Sequence, residues 1–122
     1  MKTQSAKAKG RNLQKWVRDK LLEIFDLQKD DVRSTSMGAG GEDVLLSPKA
    51  RIQIPHSIEC KNVESINVWK SYDQATGNSG EYEPLLVIKK NRRKPLVVVD
   101  AEFYLELLQG NLFYISPTIH ED

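Results

Sequence analysis

The run Ser57-Ile58-Glu59-Cys60-Lys61 constrains this chain more than any other stretch. Its residue types read as a β-strand, and in a strand alternate side chains share a face. Glu59 and Lys61 therefore point one way while Ile58 and Cys60 point the other. A carboxylate and an ammonium side by side on a short, largely apolar strand need an explanation, and Asp43 stands sixteen residues upstream.

With 122 residues the chain makes one domain, large enough for a real core and too small for two. It is 39% hydrophobic and 29% charged, the balance of an ordinary globular protein. No apolar run approaches the roughly 20 residues of a membrane span, and the Lys-rich start, Met1 to Lys9, has no apolar stretch behind it to make a signal peptide. The expectation is a cytoplasmic protein without a membrane partner. Cys60 is the single cysteine, which excludes an intrachain disulfide and fits a reducing compartment. Net charge is +1, but its distribution is uneven: residues 1–33 carry nine Lys or Arg against five Asp or Glu, Lys89 to Lys94 adds five cations, and beyond Lys94 every formal charge is acidic. Such asymmetry suits a polyanionic partner, or simply a solvated face and turn.

Along the chain, residues 1–10 read as a mobile basic arm, 11–110 as the folded domain and 111–122 as a tail without pattern. Leu13, Val17, Leu21 and Ile24 recur at helical spacing, predicting an amphipathic helix from Arg11 to about Leu27. Arg11, Gln14 and Arg18 fall on one arc at the border of its apolar stripe. A small-residue loop, Ser34 to Gly41, leads into a strand from Glu42 to Leu46 that Pro48 ends. Arg51 to Pro55 alternates and reads as a further short strand, followed by the strand from His56 to Lys61. Ser65 or Asn67 caps a helix from Val68 to about Ala75, and the Thr76 to Gly80 turn closes it. Leu85-Leu86-Val87-Ile88 and Leu96-Val97-Val98-Val99 predict a hairpin of buried strands with a cationic tip. A last helix runs from Ala101 to Leu108 and stops at Gly110. The predicted fold class is α/β (mixed α+β), a central mixed sheet flanked by helices in the order α-β-β-(β)-α-β-β-α.

An Asp, a Glu and a Lys that converge can hold a divalent metal through the two carboxylates and leave the lysine to orient a water, the parts that metal-dependent phosphodiester hydrolysis requires. The plainer reading is a surface Glu59–Lys61 ion pair worth under ~1 kcal/mol, with Asp43 as a turn residue at a strand start. Gln74, on the helix after that strand, has an amide able to hold a water or a phosphate oxygen, or is an exposed helix residue. Ser36, Gly38 and Gly40 offer a hydroxyl and backbone N–H groups to a phosphate, or form a flexible loop. Lys89, Lys90, Arg92, Arg93 and Lys94, with Arg11, Lys15 and Arg18, are candidates for phosphate contacts that give affinity without reading sequence, and Gln14 beside them is a further candidate DNA contact. Trp16, Trp69, Phe103 and Tyr104 lie on helices and suit core or dimer contacts better than base stacking. His56 and His120 have no zinc spacing with Cys60.

The element order, Glu42-Asp43-Val44 at one strand and Ile58-Glu59-Cys60-Lys61 in the next resemble the PD-(D/E)XK superfamily, the restriction-endonuclease-like fold. More narrowly, Lys9-Gly10 before the first helix, Ser36, Gln74-Ala75 and Val87-Ile88-Lys89-Lys90 are similar to the small Holliday-junction resolvases of archaea and phages. The resemblance implies a divalent-metal DNA endonuclease, dependent on Mg²⁺ or Mn²⁺, acting on branched DNA as a homodimer. It makes Asp43, Glu59 and the backbone carbonyl of Cys60 metal ligands and puts Lys61 in the active site. Two positions depart from the pattern. The superfamily's proline before the aspartate is Glu42, and the acidic residue that resolvases carry on the first helix falls at Gln14, with Glu23 on another side of that helix as the alternative acid. Gln14 leaves open a nickase, restriction-type or repair nuclease on duplex or single-stranded DNA; a DNA-binding module without catalysis is the alternative from another class.

Overall fold

Helix α1 (Lys2–Phe25) begins well before the apolar periodicity of the sequence does. The computed structural model describes residues 2–35 and 41–120. Ala6, Lys7, Ala8 and Lys9 are good helix formers, and a single Gly10 costs about 1 kcal/mol relative to Ala, too little to stop a helix with formers on both sides. Tertiary ties hold this segment as well: Asn62 donates to the Lys9 carbonyl at 3.0 Å, and the Lys9 ammonium meets the Glu64 carboxylate at 3.2 Å. The expected mobile arm is therefore replaced by helix over the described residues of 2–10. Asp26, at φ +52°, turns the chain out of α1.

After a short 3₁₀ turn, Lys29–Asp31, the chain forms β1 (Val32–Ser34), a strand the sequence pattern does not announce. It pairs antiparallel with β2 (Val44–Leu46) through Val32↔Leu46 and Ser34↔Val44. Pro48 does end β2, but it also opens a helix. The expected strand at 51–55 is instead largely helix α2 (Pro48–Gln53), with Pro48 in its first turn and the Ser47 hydroxyl accepting from the Ala50 N–H at 3.1 Å. A capped Ser-Pro start outweighs the apolar–polar alternation of Arg51 to Ile54.

Strand β3 (His56–Asn62) occupies the centre of the sheet. It pairs with β2 antiparallel at Val44↔Ile58 and with β4 (Glu83–Lys89) in parallel from His56↔Glu83 to Asn62↔Lys89. The crossover between them carries α3 (Val68–Gly77), capped by Asn67, whose side chain accepts from the Lys70 N–H at 3.0 Å. Strand β5 (Leu96–Val98) returns antiparallel to β4, so the hairpin with its Lys89–Lys94 tip forms as expected. It is an exposed edge and not a buried strand: Val97 is 58% exposed, and among the described residues no strand lies beyond β5. Helix α4 (Ala101–His120) runs through Gly110 instead of stopping there, so the tail expected from residue 111 is helical as far as His120.

The described residues thus form a mixed α/β fold, one five-stranded sheet in the order β1-β2-β3-β4-β5 with four helices. Leu13 and Val17 of α1 pack with Val32, Val44, Ile58, Cys60 and Val87 on one face of that sheet. On the other face Ser71 and Ala75 of α3 lie with Leu86, the partner of Glu59 in the β3–β4 register. Among the described residues no helix is long and apolar enough to cross a membrane.

Candidate active site

Strand alternation sends Ile58 and Cys60 into the α1 core and leaves Glu59 and Lys61 on the α3 face. Val44 lies opposite Ile58, so Asp43, one residue earlier, belongs to the face of Glu59. The backbone of Asp43 is held between two strands: its N–H donates to the Ile58 carbonyl at 2.9 Å, and its carbonyl accepts from the Thr35 N–H at 3.0 Å. Its carboxylate accepts the Cys60 N–H at 2.8 Å. That amide would have gone to the next residue of β2 had the two strands continued to pair. Because a strand residue's N–H and C=O face the same neighbour, the Cys60 carbonyl points toward the gap that the Asp43 carboxylate fills.

Two carboxylates therefore approach each other at the end of the β2–β3 pairing, on the side to which the Cys60 carbonyl points, with Lys61 next along β3. Glu59 is buried at 6% exposure and accepts from the Asn78 side-chain amide at 3.4 Å. Burial, then repulsion from Asp43, pushes the Glu59 carboxyl above its ordinary range; Asn78 and Lys61 offset part of this. Burial likewise raises Asp43, against the pull of the Cys60 N–H and the Lys61 ammonium. Two partly desolvated carboxylates that repel each other are poised for a cation. The donors are hard oxygens, the set that suits Mg²⁺ or Mn²⁺ and not zinc. The Cys60 thiol is no rival ligand, since strand alternation turns it away from Glu59 into the core under α1, where burial and then both carboxylates push its pKa upward. No third carboxylate, histidine or cysteine joins a metal-holding group among the described residues.

The remaining expected residues divide. Gln74 is exposed on the last turns of α3, and its side chain makes no hydrogen bond among the described residues; its carbonyl accepts from the N–H of Asn78, the residue that reaches Glu59. Glu23 lies on an exposed side of α1 beside Lys20, at 3.6 Å, and does not join Asp43 and Glu59. Gln14 corrects the sequence reading, for it is 2% exposed and not at the solvent border. Gly10, Leu13, Gln14 and Val17 form the buried stripe of α1, one position wider than the apolar residues alone suggested, so Gln14 is no surface contact for DNA. Arg11 and Lys15 are exposed on α1, and Arg18 pairs with its neighbour Asp19 at 2.9 Å. Ser36, Gly38 and Gly40 lie outside the described residues.

Because β3 and β4 run parallel, the cationic hairpin tip leaves the sheet at the edge where Lys61 sits: Asn62 is paired with Lys89. Lys90, Arg92, Arg93 and Lys94 are exposed there, and Lys89 is half-buried. Lys89, Lys90, Arg93 and Lys94 line a groove of about 250 Å³ with Glu64. The Glu64 carboxylate accepts from the Asn91 N–H at 2.7 Å and from Lys9 at 3.2 Å, tying the tip to α1.

Two further residues, Asn78 and Arg51, were not singled out by the sequence, and Glu42 was noted only for standing where the superfamily has proline. Asn78 closes α3 and touches Glu59, and a turn asparagine gives no hint of that contact. Glu42 and Arg51 form a bidentate ion pair at 2.6 and 2.7 Å, with side chains only 16% and 13% exposed. No family model, curated protein or solved structure matches the chain.

Proposed function

We propose that this chain is a divalent-metal-dependent DNA endonuclease of the PD-(D/E)XK kind, cleaving phosphodiester bonds in branched DNA as a homodimer. The observation that carries the reading is the approach of the Asp43 and Glu59 carboxyl groups to each other and to Lys61, both raised by burial, with the Cys60 N–H bonded to Asp43. The mixed sheet with helices on its faces, in nearly the order the resemblance implies, supports the same core. Asp43, Glu59 and the Cys60 carbonyl would hold Mg²⁺ or Mn²⁺, which when bound supplies Lewis-acid stabilisation of the phosphodiester. The Cys60 N–H and Asn78 fix the orientation of the two carboxylates, leaving their other lone pairs available. Lys61 orients the attacking water or meets charge developing on the phosphate, acting through its ammonium. The cations of the hairpin tip, with Arg11 and Lys15, hold the DNA backbone without reading bases.

A homodimer supplies two such sites for paired cuts across a branch. Its surface is apolar: Trp16, Ile24, Leu96, Val97, Tyr104, Leu105, Leu107 and Leu108 are all large and exposed, and five of them border or line one groove between α1, the sheet and α4. At roughly 180 Å² per full side chain the five groove residues leave on the order of 460 Å² open, the apolar centre of an interface to which each partner gives ~800 Å². The occupant is a second copy of this chain.

The buried Gln14 favours one alternative, a nuclease of the same superfamily acting on other DNA, because no first-helix acid stands at that position. The experiment that separates them offers a four-way junction, nicked duplex, plain duplex and single-stranded DNA, each with Mg²⁺ and with EDTA. Metal-dependent paired cuts confined to the junction are expected. Preferential cutting of another substrate discards the resolvase reading, and binding without cleavage in Mg²⁺ or Mn²⁺ discards the enzyme.

A further inference from the structure

The Arg51 guanidinium joins three segments of chain that approach the candidate metal site. Its Nη2 grips both oxygens of Glu42, the residue immediately before Asp43. Its Nη1 donates to the carbonyl of His56, three residues before Glu59 on β3, at 2.6 Å. Its plane lies over the ring of Tyr82, at the entrance to β4, 4.0 Å from the centroid. Few other groups offer this combination. The planar fork satisfies two acceptors in different directions while its face stacks on an aromatic ring, which an ammonium does not do.

The need for such a clamp follows from the strand pairing. β2 pairs with β3 only around Val44↔Ile58, so one short register connects the segment carrying Asp43 to the strand carrying Glu59. Upstream, Gly41 at φ +89° turns the chain into β2 and adds no side chain to hold it. Beside the Asp43 bonds to Ile58 and Cys60, the Arg51 bridge from Glu42 to His56 supplies a further tie between the same two segments, and α2, anchored by the Ser47 bonds to Ala50 and Asp31, holds Arg51 in place.

We infer that Arg51, acting through Glu42, is a positioning residue that sets Asp43 against Glu59 and so shapes the cation site. The inference rests on the proposed metal site for its consequence, but its geometric part stands without a metal. Glu42 thus has a role at the position where the superfamily pattern has proline: an ion pair restrains the approach to the aspartate.

The test uses the full-length protein and the variants Arg51→Lys, Glu42→Gln and Asp43→Asn. In metal-free samples the Cys60 amide, bonded to the Asp43 carboxylate, is followed by ¹⁵N–¹H spectra, with the Ala75 amide of α3 as a control. Arg51→Lys and Glu42→Gln are expected to move the Cys60 signal well toward its Asp43→Asn position while Ala75 stays. A Cys60 signal unchanged in both variants overturns the inference, and either variant decides if the other fails to fold. Mn²⁺ titration of the same samples is expected to show affinity lowered by about 10–100-fold. Affinity within about twofold of wild type, in folded variants of a protein that does bind Mn²⁺ through Asp43, also overturns it. If wild type binds no Mn²⁺, the metal-site reading fails, and the Cys60 signal still decides whether Arg51 positions Asp43.

Discussion

Asp43 and Glu59 carry a cost in the metal-free protein that has a definite pH signature. Both carboxyl groups are raised from ordinary values of 3.8 and 4.5, so the folded chain binds protons more readily than the unfolded one. Stability from these groups is therefore fully present at low pH and is lost as pH rises from the ordinary carboxylate range through the raised folded values. Asp43→Asn and Glu59→Gln keep shape and hydrogen bonding while removing the charge. Each is expected to raise the melting temperature of the metal-free protein by a few degrees at neutral pH, with the difference vanishing below about pH 4. Saturating Mg²⁺ should stabilise wild type and leave the variants nearly unmoved. A melting temperature lowered by both substitutions at neutral pH would mean that the carboxylates serve packing and not a cation.

At the scale of elements, the hairpin tip and α1 form one cationic border beside Lys61, linked through Glu64. Replacing Lys90, Arg92, Arg93 and Lys94 with serine should weaken binding to every DNA tested and flatten its salt dependence, by about 0.9 in slope for each phosphate that is no longer neutralised. Unchanged affinity would remove the tip from the DNA surface. What was legible in the sequence were the elements with strong local signals: the apolar stripe of α1, the alternation in β3, the Asn67 cap of α3 and the two apolar runs of the hairpin. What escaped was short or decided by tertiary contacts. β1 has three residues and so too little pattern to read, while α2 carries an alternation that imitates a strand. For the site, strand alternation sufficed to place Glu59 with Lys61. Asn78 reaches Glu59 across nineteen residues of chain, and Arg51 meets Glu42 and His56 nine and five residues away only because β2, α2 and β3 fold back on one another, which no local spacing encodes. Gln14 misled because a polar side chain inside a helix's buried stripe looks like its border.

For the whole molecule, α4 and the β5 edge leave large apolar side chains uncovered, among them Leu96, Val97, Leu105 and Leu108. Leu105→Glu with Leu108→Glu should convert a dimer into a monomer by sedimentation, with junction binding reduced and paired cuts abolished. A wild-type protein that sediments strictly as a monomer while making paired cuts would refute the second copy. The central claim is that Asp43, Glu59 and Lys61 perform metal-dependent cleavage, and one measurement meets it directly. Cleavage of a labelled four-way junction is followed in Mg²⁺ by wild type, Asp43→Asn and Lys61→Ala, with binding of the same DNA measured in parallel. Cutting by wild type, with at least a hundredfold loss in both variants and binding retained, is the predicted result. Undiminished cutting by either variant, or binding by wild type with no cutting, would contradict it.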